Sequence, residues 1–233
     1  VALLVDPSAT REQMEQVRSS LGLDKPLTTQ FVLFLGNAIK GDFGKSIQAR
    51  LPAMQLVMER LPNSIKLSAA AMVLAILIAL PLGIVAAVKR GSAADTISKI
   101  IAVLGQSLPA FWLGLMLIQI FAVRWHLLPV GQMGGITHYI LPGFTLAGFV
   151  IAGMMRLLRS SMLDTLDAEF IRMARIKGLS ETQIVWRHAL RNALIPVLTM
   201  GSIQFAVLAT MAVVVEVVFA WPGVGRLAYD GVL

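Results

Sequence analysis

The chain has 233 residues, 57% of them hydrophobic and only 14% charged, with a formal net charge of +7 and a mean hydropathy of +0.77. Soluble domains carry about 25% charged residues, so this composition excludes a soluble fold and points to a membrane. Cysteine is absent, which excludes disulfides and thiolate metal sites.

Residues 1–64 precede the first long apolar run. Arg11–Leu21 reads as a helix closed by Gly22, and Pro26–Ile39 as a second helix closing at Gly41. The string Lys-Gly-Asp-Phe-Gly-Lys-Ser over Lys40–Ser46 invites a phosphate-loop reading. Its spacing refuses that reading. The loop needs a glycine five residues before Gly44, where Ile39 stands, and no strand precedes it.

Four runs without a charged residue follow: Leu67–Val88, Ile100–Val123, Tyr139–Met155 and Asn192–Val215. A helical crossing takes about 20 apolar residues, so the sequence predicts four spans. The third run is short, with Arg156 and Arg159 placed to snorkel from its end. Pro81, Pro109 and Pro142 perturb the runs, and Gly83, Gly105, Gly114 and Gly148 offer small surfaces for close helix packing. Gln106, Ser107, Gln119, Ser202, Gln204 and Thr210 are the candidates for a polar translocation path. Interhelical hydrogen bonding is the competing role for each of them.

Catalytic signals are missing. His126, His138 and His188 share no metal-ligand spacing, and no serine sits in a nucleophile elbow. The four runs hold no Asp, Glu, Lys or Arg, which argues against a self-powered, ion-coupled carrier. Glu216, just past the fourth run, reads as an interfacial carboxylate rather than a proton relay.

Between the third and fourth runs lies a dense polar insert. Thr165–Lys177 has helical composition, with Phe170, Met173 and Ala174 on one side. Gly178 is placed to end that helix in the left-handed region. Ser180 and Gln183 form a capping-box pattern for a second helix, from Glu181 to about Leu194, with Pro196 expected to redirect the chain. Two short helices meeting at a glycine elbow suit a docking knob. They also suit an ordinary interfacial amphipathic helix, and periodicity does not separate the two.

Charge sets the orientation. Lys89, Arg90 and Lys99 follow the first run, and Arg156, Arg159, Arg172, Arg175, Lys177, Arg187 and Arg191 follow the third. Only Arg124 and Arg226 lie in the connections of the other face. Basic residues collect in cytoplasmic loops, so 156–191 is predicted to be cytoplasmic and 1–64 external. An exported 1–64 needs a span ahead of it, and a chain closing outside the membrane leaves room for a span behind it. A first and a last span are therefore expected beyond this sequence. The basic balance reads as topology, with no nucleic-acid partner.

The segment Glu-Phe-Ile-Arg-Met-Ala-Arg-Ile-Lys-Gly-Leu-Ser (Glu169–Ser180), followed by Arg-His-Ala-Leu-Arg-Asn-Ala-Leu-Ile-Pro (Arg187–Pro196), resembles the loop signature of ABC importer permeases. It is most similar to the peptide/nickel subclass of dipeptide, oligopeptide and glutathione permeases. Where the general signature begins Glu-Ala-Ala, this chain has Arg172-Met173-Ala174, keeping Ala174 and Gly178. Where the general form has Ile-x-Leu-Pro it has His188-Ala189-Leu190-Arg191, and both departures follow the subclass. Leu21–Leu27, Gly41–Ser46, Arg60–Ser64, Ser107–Gly114 and Val218–Leu227 resemble the subclass too, in order along the chain.

That resemblance implies an all-α polytopic membrane protein, a type I ABC importer transmembrane domain with a six-span core. Residues 1–64 would form an external region and 65–233 the permease domain, in a bacterial or archaeal cytoplasmic membrane. It implies four partners in the bilayer and around it: a second homologous permease, two cytoplasmic ATPase subunits and an external substrate-binding protein. This chain would bind no cofactor, with ATP and Mg held by the ATPases. Contact with an ATPase would fall to Glu169, Phe170, Arg172, Ala174, Lys177, Gly178, Leu179, Ser180, Arg187 and His188. Small peptides are the leading cargo, with glutathione or nickel chelates as alternatives within the family. An ATP-independent channel or carrier is the alternative outside it.

Overall fold

The computed structural model describes residues 23–46 and 48–232, together with Glu12, Glu15 and Ser19. The helix expected over Arg11–Leu21 falls outside the described residues except at those three, which are helical. The chain divides into two compact units, residues 1–60 with 230–233 and residues 61–229.

In the first unit, helix α1 (Leu27–Ile39) has no buried residue, and Leu27, Phe31, Val32 and Ile39 on it are exposed. The Gly-Lys-Ser string that follows forms turns. The Gly44 N–H donates to the Asp42 carboxylate at 2.9 Å, and Lys45 pairs with Pro52 in one isolated antiparallel bridge. A phosphate loop needs a strand ahead of it and a helix behind, and no strand occurs among the described residues.

Helix α2 (Ala53–Val88) begins in the first unit and runs on through the second, carrying Pro62 and Pro81 within it. Then come α3 (Ala93–Ser107), α4 (Ala110–Leu117, prolonged by a π turn over Ile118–Arg124) and α5 (Ile140–Leu166). The elbow helix α6 (Glu169–Ile176) leads into α7 (Glu181–Val218), and α8 (Val224–Asp230) closes the order. Helices α2, α5 and α7 are long and apolar enough to cross a membrane, and α3 with α4 makes a fourth crossing if the bent pair counts as one span.

One expectation about proline holds and one is corrected. The run Ile100–Val123 is interrupted at Pro109, as expected: α3 and α4 meet at 107°. Pro109 disfavours the helical region for the residue before it, and Leu108 is extended at ψ 126°. Pro196 does the opposite of what the sequence suggests. It sits inside α7, so the helix that starts at the elbow continues unbroken into the fourth span instead of turning away.

The core gathers on α5, which buries 61% of its apolar window against 22% for α7. Lipid supplies no hydrophobic drive between helices, so close contact rests on small residues. Ala71, Ala75 and Ala79 form a fully buried stripe on α2. At Gly105 a β-carbon would stand 2.9 Å from the Gly148 carbonyl oxygen, so α3 and α5 touch backbone to backbone there.

Candidate functional site

The site is the elbow between α5 and α7. Helix α6 ends at Ile176 with Lys177 as its cap, and Gly178 follows at φ +81°, a conformation costly for residues with a β-carbon. Its N–H donates to the Arg175 carbonyl at 2.9 Å, and the Leu179 N–H to the Ala174 carbonyl at 3.2 Å. The next helix starts as its pattern requires. The Gln183 N–H donates to Ser180 Oγ at 3.4 Å, and the Ser180 N–H donates back to Gln183 Oε1 at 3.3 Å. Across the bend Arg175 Nε donates to Glu181 Oε1 at 2.8 Å and Nη2 to Oε2 at 3.3 Å. Those hydrogen bonds raise the Arg175 guanidinium above its ordinary pKa and hold the Glu181 carboxyl below the usual carboxylate range.

The elbow has an inner and an outer side. Ile171, Ala174, Ile184, Val185 and Ala189 are buried in the core, and Leu179 packs against it. Ala174 and Leu179 therefore seat the elbow on this chain's own bundle. Phe170, Met173, Ile176 and Trp186 are exposed, at 47%, 53%, 75% and 59%, amid exposed Glu169, Arg172, Lys177 and Arg187. His188 is half-buried in a π turn over Ile184–Ala189. All ten candidate coupling residues thus fall on one compact feature, with two of them turned inward.

Two polar clusters tie the surrounding helices, and the residue pattern alone did not reveal either. Asp95 is buried and takes a bidentate pair from Arg159, Nε to Oδ1 at 2.7 Å and Nη2 to Oδ2 at 2.9 Å. Lys99 Nζ and the Gly91 N–H add bonds at 3.0 and 3.1 Å. This joins the start of α3 to the stretch of α5 that leads into the elbow.

The second cluster is built on Glu216, which lies near the end of α7 and is fully buried within the chain. Its Oε1 accepts from Ser64 Oγ at 2.6 Å and its Oε2 from the Arg226 N–H at 3.1 Å, while Ser64 Oγ accepts from the Val224 N–H at 2.9 Å. Asn63 Nδ2 donates to the Pro222 carbonyl and Trp221 Nε1 to the Asn63 carbonyl, at 2.9 and 3.1 Å. Burial of the carboxylate is tolerable because donors meet it. The network binds α2 to the far end of α7.

The six path candidates do not converge on one cavity. Ser202 lines a pocket of about 430 Å3 whose other walls, Met72, Ile76, Met154, Val197 and Phe205 among them, are apolar. Ser202 and Thr210 are exposed, and their hydroxyls bond back to their own helix, to the Leu198 and Val207 carbonyls at 3.1 and 2.8 Å. Among the described residues neither makes the interhelical bond offered as the alternative role. Gln204 is buried beside Gly153 of α5, Gln106 is half-buried, and Ser107 and Gln119 are exposed.

Three helices long and apolar enough to cross a membrane, a bent pair able to make a fourth crossing and a braced elbow between two of them define a polytopic membrane protein. Residues 79–233 match the family described as binding-protein-dependent transport system inner membrane component. The chain belongs to that family: it is a permease subunit of a binding-protein-dependent ABC importer, a membrane component that is not itself catalytic. Over 230 residues it is 45% identical to the glutathione transport system permease protein GsiC of Escherichia coli (strain K12), covering 99% of this chain and 75% of that protein. The GsiC protein of Shigella dysenteriae serotype 1 (strain Sd197) is similar to the same extent, 45% over 230 residues with 99% and 75% covered. Among solved structures, a chain of the MetNI methionine ABC transporter in inward-facing conformations matches with a TM-score of 0.61. It is 21% identical, with 76% of this chain and 80% of that one covered, a likeness of fold.

Proposed function

We propose that this chain forms one half of the path through which small peptides enter the cell, driven by ATP hydrolysed on separate subunits. The observation that carries the reading is the elbow. It is braced internally by Arg175 and Glu181, locked at Gly178 and fixed to the core by Ile171 and Ala174. It turns Phe170, Met173 and Ile176 outward amid positive charge. A rigid knob of that chemistry suits a groove on an ATPase, with Arg172, Lys177 and Arg187 supplying charged contacts. In this reading 156–191 is cytoplasmic and 1–64 external, as the distribution of Lys and Arg favours.

The thin coverage of α7, 22% of its apolar window, supports a second permease subunit against it. An external binding protein delivers cargo, and ATP with Mg acts on two partner ATPases. Closure of those subunits draws the elbows together and opens the spans outward, and hydrolysis resets them. Cargo of the small-peptide class is supported by the relatives, whose names specify glutathione, itself a small peptide. Nickel chelates lose ground by the same comparison.

The test is reconstitution of the full-length permease with its sister permease in liposomes. Peptide uptake should be absent until the two ATPases, ATP and the binding protein are added. Accumulation driven by a proton or sodium gradient alone would overturn the proposal.

A further inference from the structure

Between the last turns of α2 and the first turns of α7 lies a groove of about 490 Å3. Val85, Val88, Val185 and Trp186 form its walls, and Lys89 and Glu181 lie at its polar end. Val88 is the last residue of the charge-free run and Lys89 the first charge after it. The groove therefore straddles the level at which α2 leaves hydrocarbon for headgroups, whichever face of the membrane that is. Its occupant needs an apolar tail on one side of that level and a polar head on the other.

Charge decides the kind of head. Glu181 is already engaged by Arg175 at 2.8 Å. Lys89 and its neighbour Arg90 take part in no ion pair among the described residues. The groove thus offers an uncompensated cation over an apolar wall. The exposed Trp186 ring belongs to the residue type that favours the headgroup layer.

We propose that this groove is a binding site for one anionic phospholipid, with the phosphate at Lys89 in the headgroup layer beside Val185 and Trp186 and an acyl chain against Val85 and Val88. The second wall of the site is the helix that leaves the elbow, so the lipid braces the elbow against the end of α2. The site stands on the groove alone and does not depend on what the elbow docks into.

The full-length permease, assembled with its sister and ATPase subunits, would be placed in nanodiscs of phosphatidylethanolamine containing phosphatidylglycerol or phosphatidylcholine. Native mass spectrometry would count the lipid retained. The wild type should keep phosphatidylglycerol and release phosphatidylcholine. Lys89→Glu, which removes the cation, and Val88→Trp, which fills the groove, should each cut phosphatidylglycerol retention at least about fivefold. Equal retention in the wild type and both variants, or equal retention of the two lipids, overturns the proposal. A groove sealed by a partner subunit would give that second result.

Discussion

Asp95 is 1% exposed in its side chain and held by Arg159 from another helix, with Lys99 adding a third contact. Removing one partner of such a pair is destabilising, since the other charge is left without its counterpart. Asp95→Asn should lower the melting temperature of the detergent-solubilised protein clearly. The swap Asp95→Arg with Arg159→Asp should recover part of the loss through the coupling between neighbours. Strict additivity of the two single changes would refute the pair. The sequence announces Asp95 only as a first-turn residue behind Ser92, whose hydroxyl indeed accepts its N–H at 3.4 Å. Nothing local points to a guanidinium 64 positions later. The burial of Glu216 was illegible for a similar reason. A carboxylate near a span end suggests water, and the donors that make burial tolerable come from Ser64 and Arg226, on other segments.

Helices were legible where their signals are local. The capping box at Ser180 and the left-handed turn at Gly178 sit where pattern places them, because each depends on residues within a few positions. Prolines were not. Proline in a helix interior costs about 3 kcal/mol, and packing on both sides decides whether the helix survives. Helix α7 absorbs Pro196, whereas the chain breaks at Pro109. The elbow itself yields a sharp expectation. A β-carbon at Gly178 meets no neighbour within 4 Å, so the strain of a substitution there is conformational alone. Gly178→Val should cost about 1–2 kcal/mol in the left-handed region and separate ATP hydrolysis from uptake, while Gly178→Asn, better suited to that region, should keep most of the coupling. Normal uptake together with normal ATPase recruitment in the Val variant would defeat the coupling role.

For the molecule as a whole, composition and the four apolar runs identify a membrane protein, and the family comparison establishes which kind. Sidedness rests on the distribution of Lys and Arg, and single cysteines test it in a background from which any other cysteine of the full-length protein is removed; these 233 residues contain none. Lys177→Cys in the full-length protein should react with an impermeant thiol reagent only from the cytoplasmic face. Ile136→Cys, at an exposed position in the connection before α5, should react only from outside. Reversed labelling would invert the orientation. One further consequence follows from the continuity of α7. Its 38 residues, at about 1.5 Å each, make a bar about 57 Å long. Pivoted near its middle, such a bar turns a tilt of about ten degrees into about 5 Å of travel at each end, in opposite senses. One end is clasped by Arg175 and the other, at Glu216, by Ser64 of α2. Moved in this way the helix would act as a see-saw: a push toward the axis at the elbow would arrive at the far face as a pull away from it.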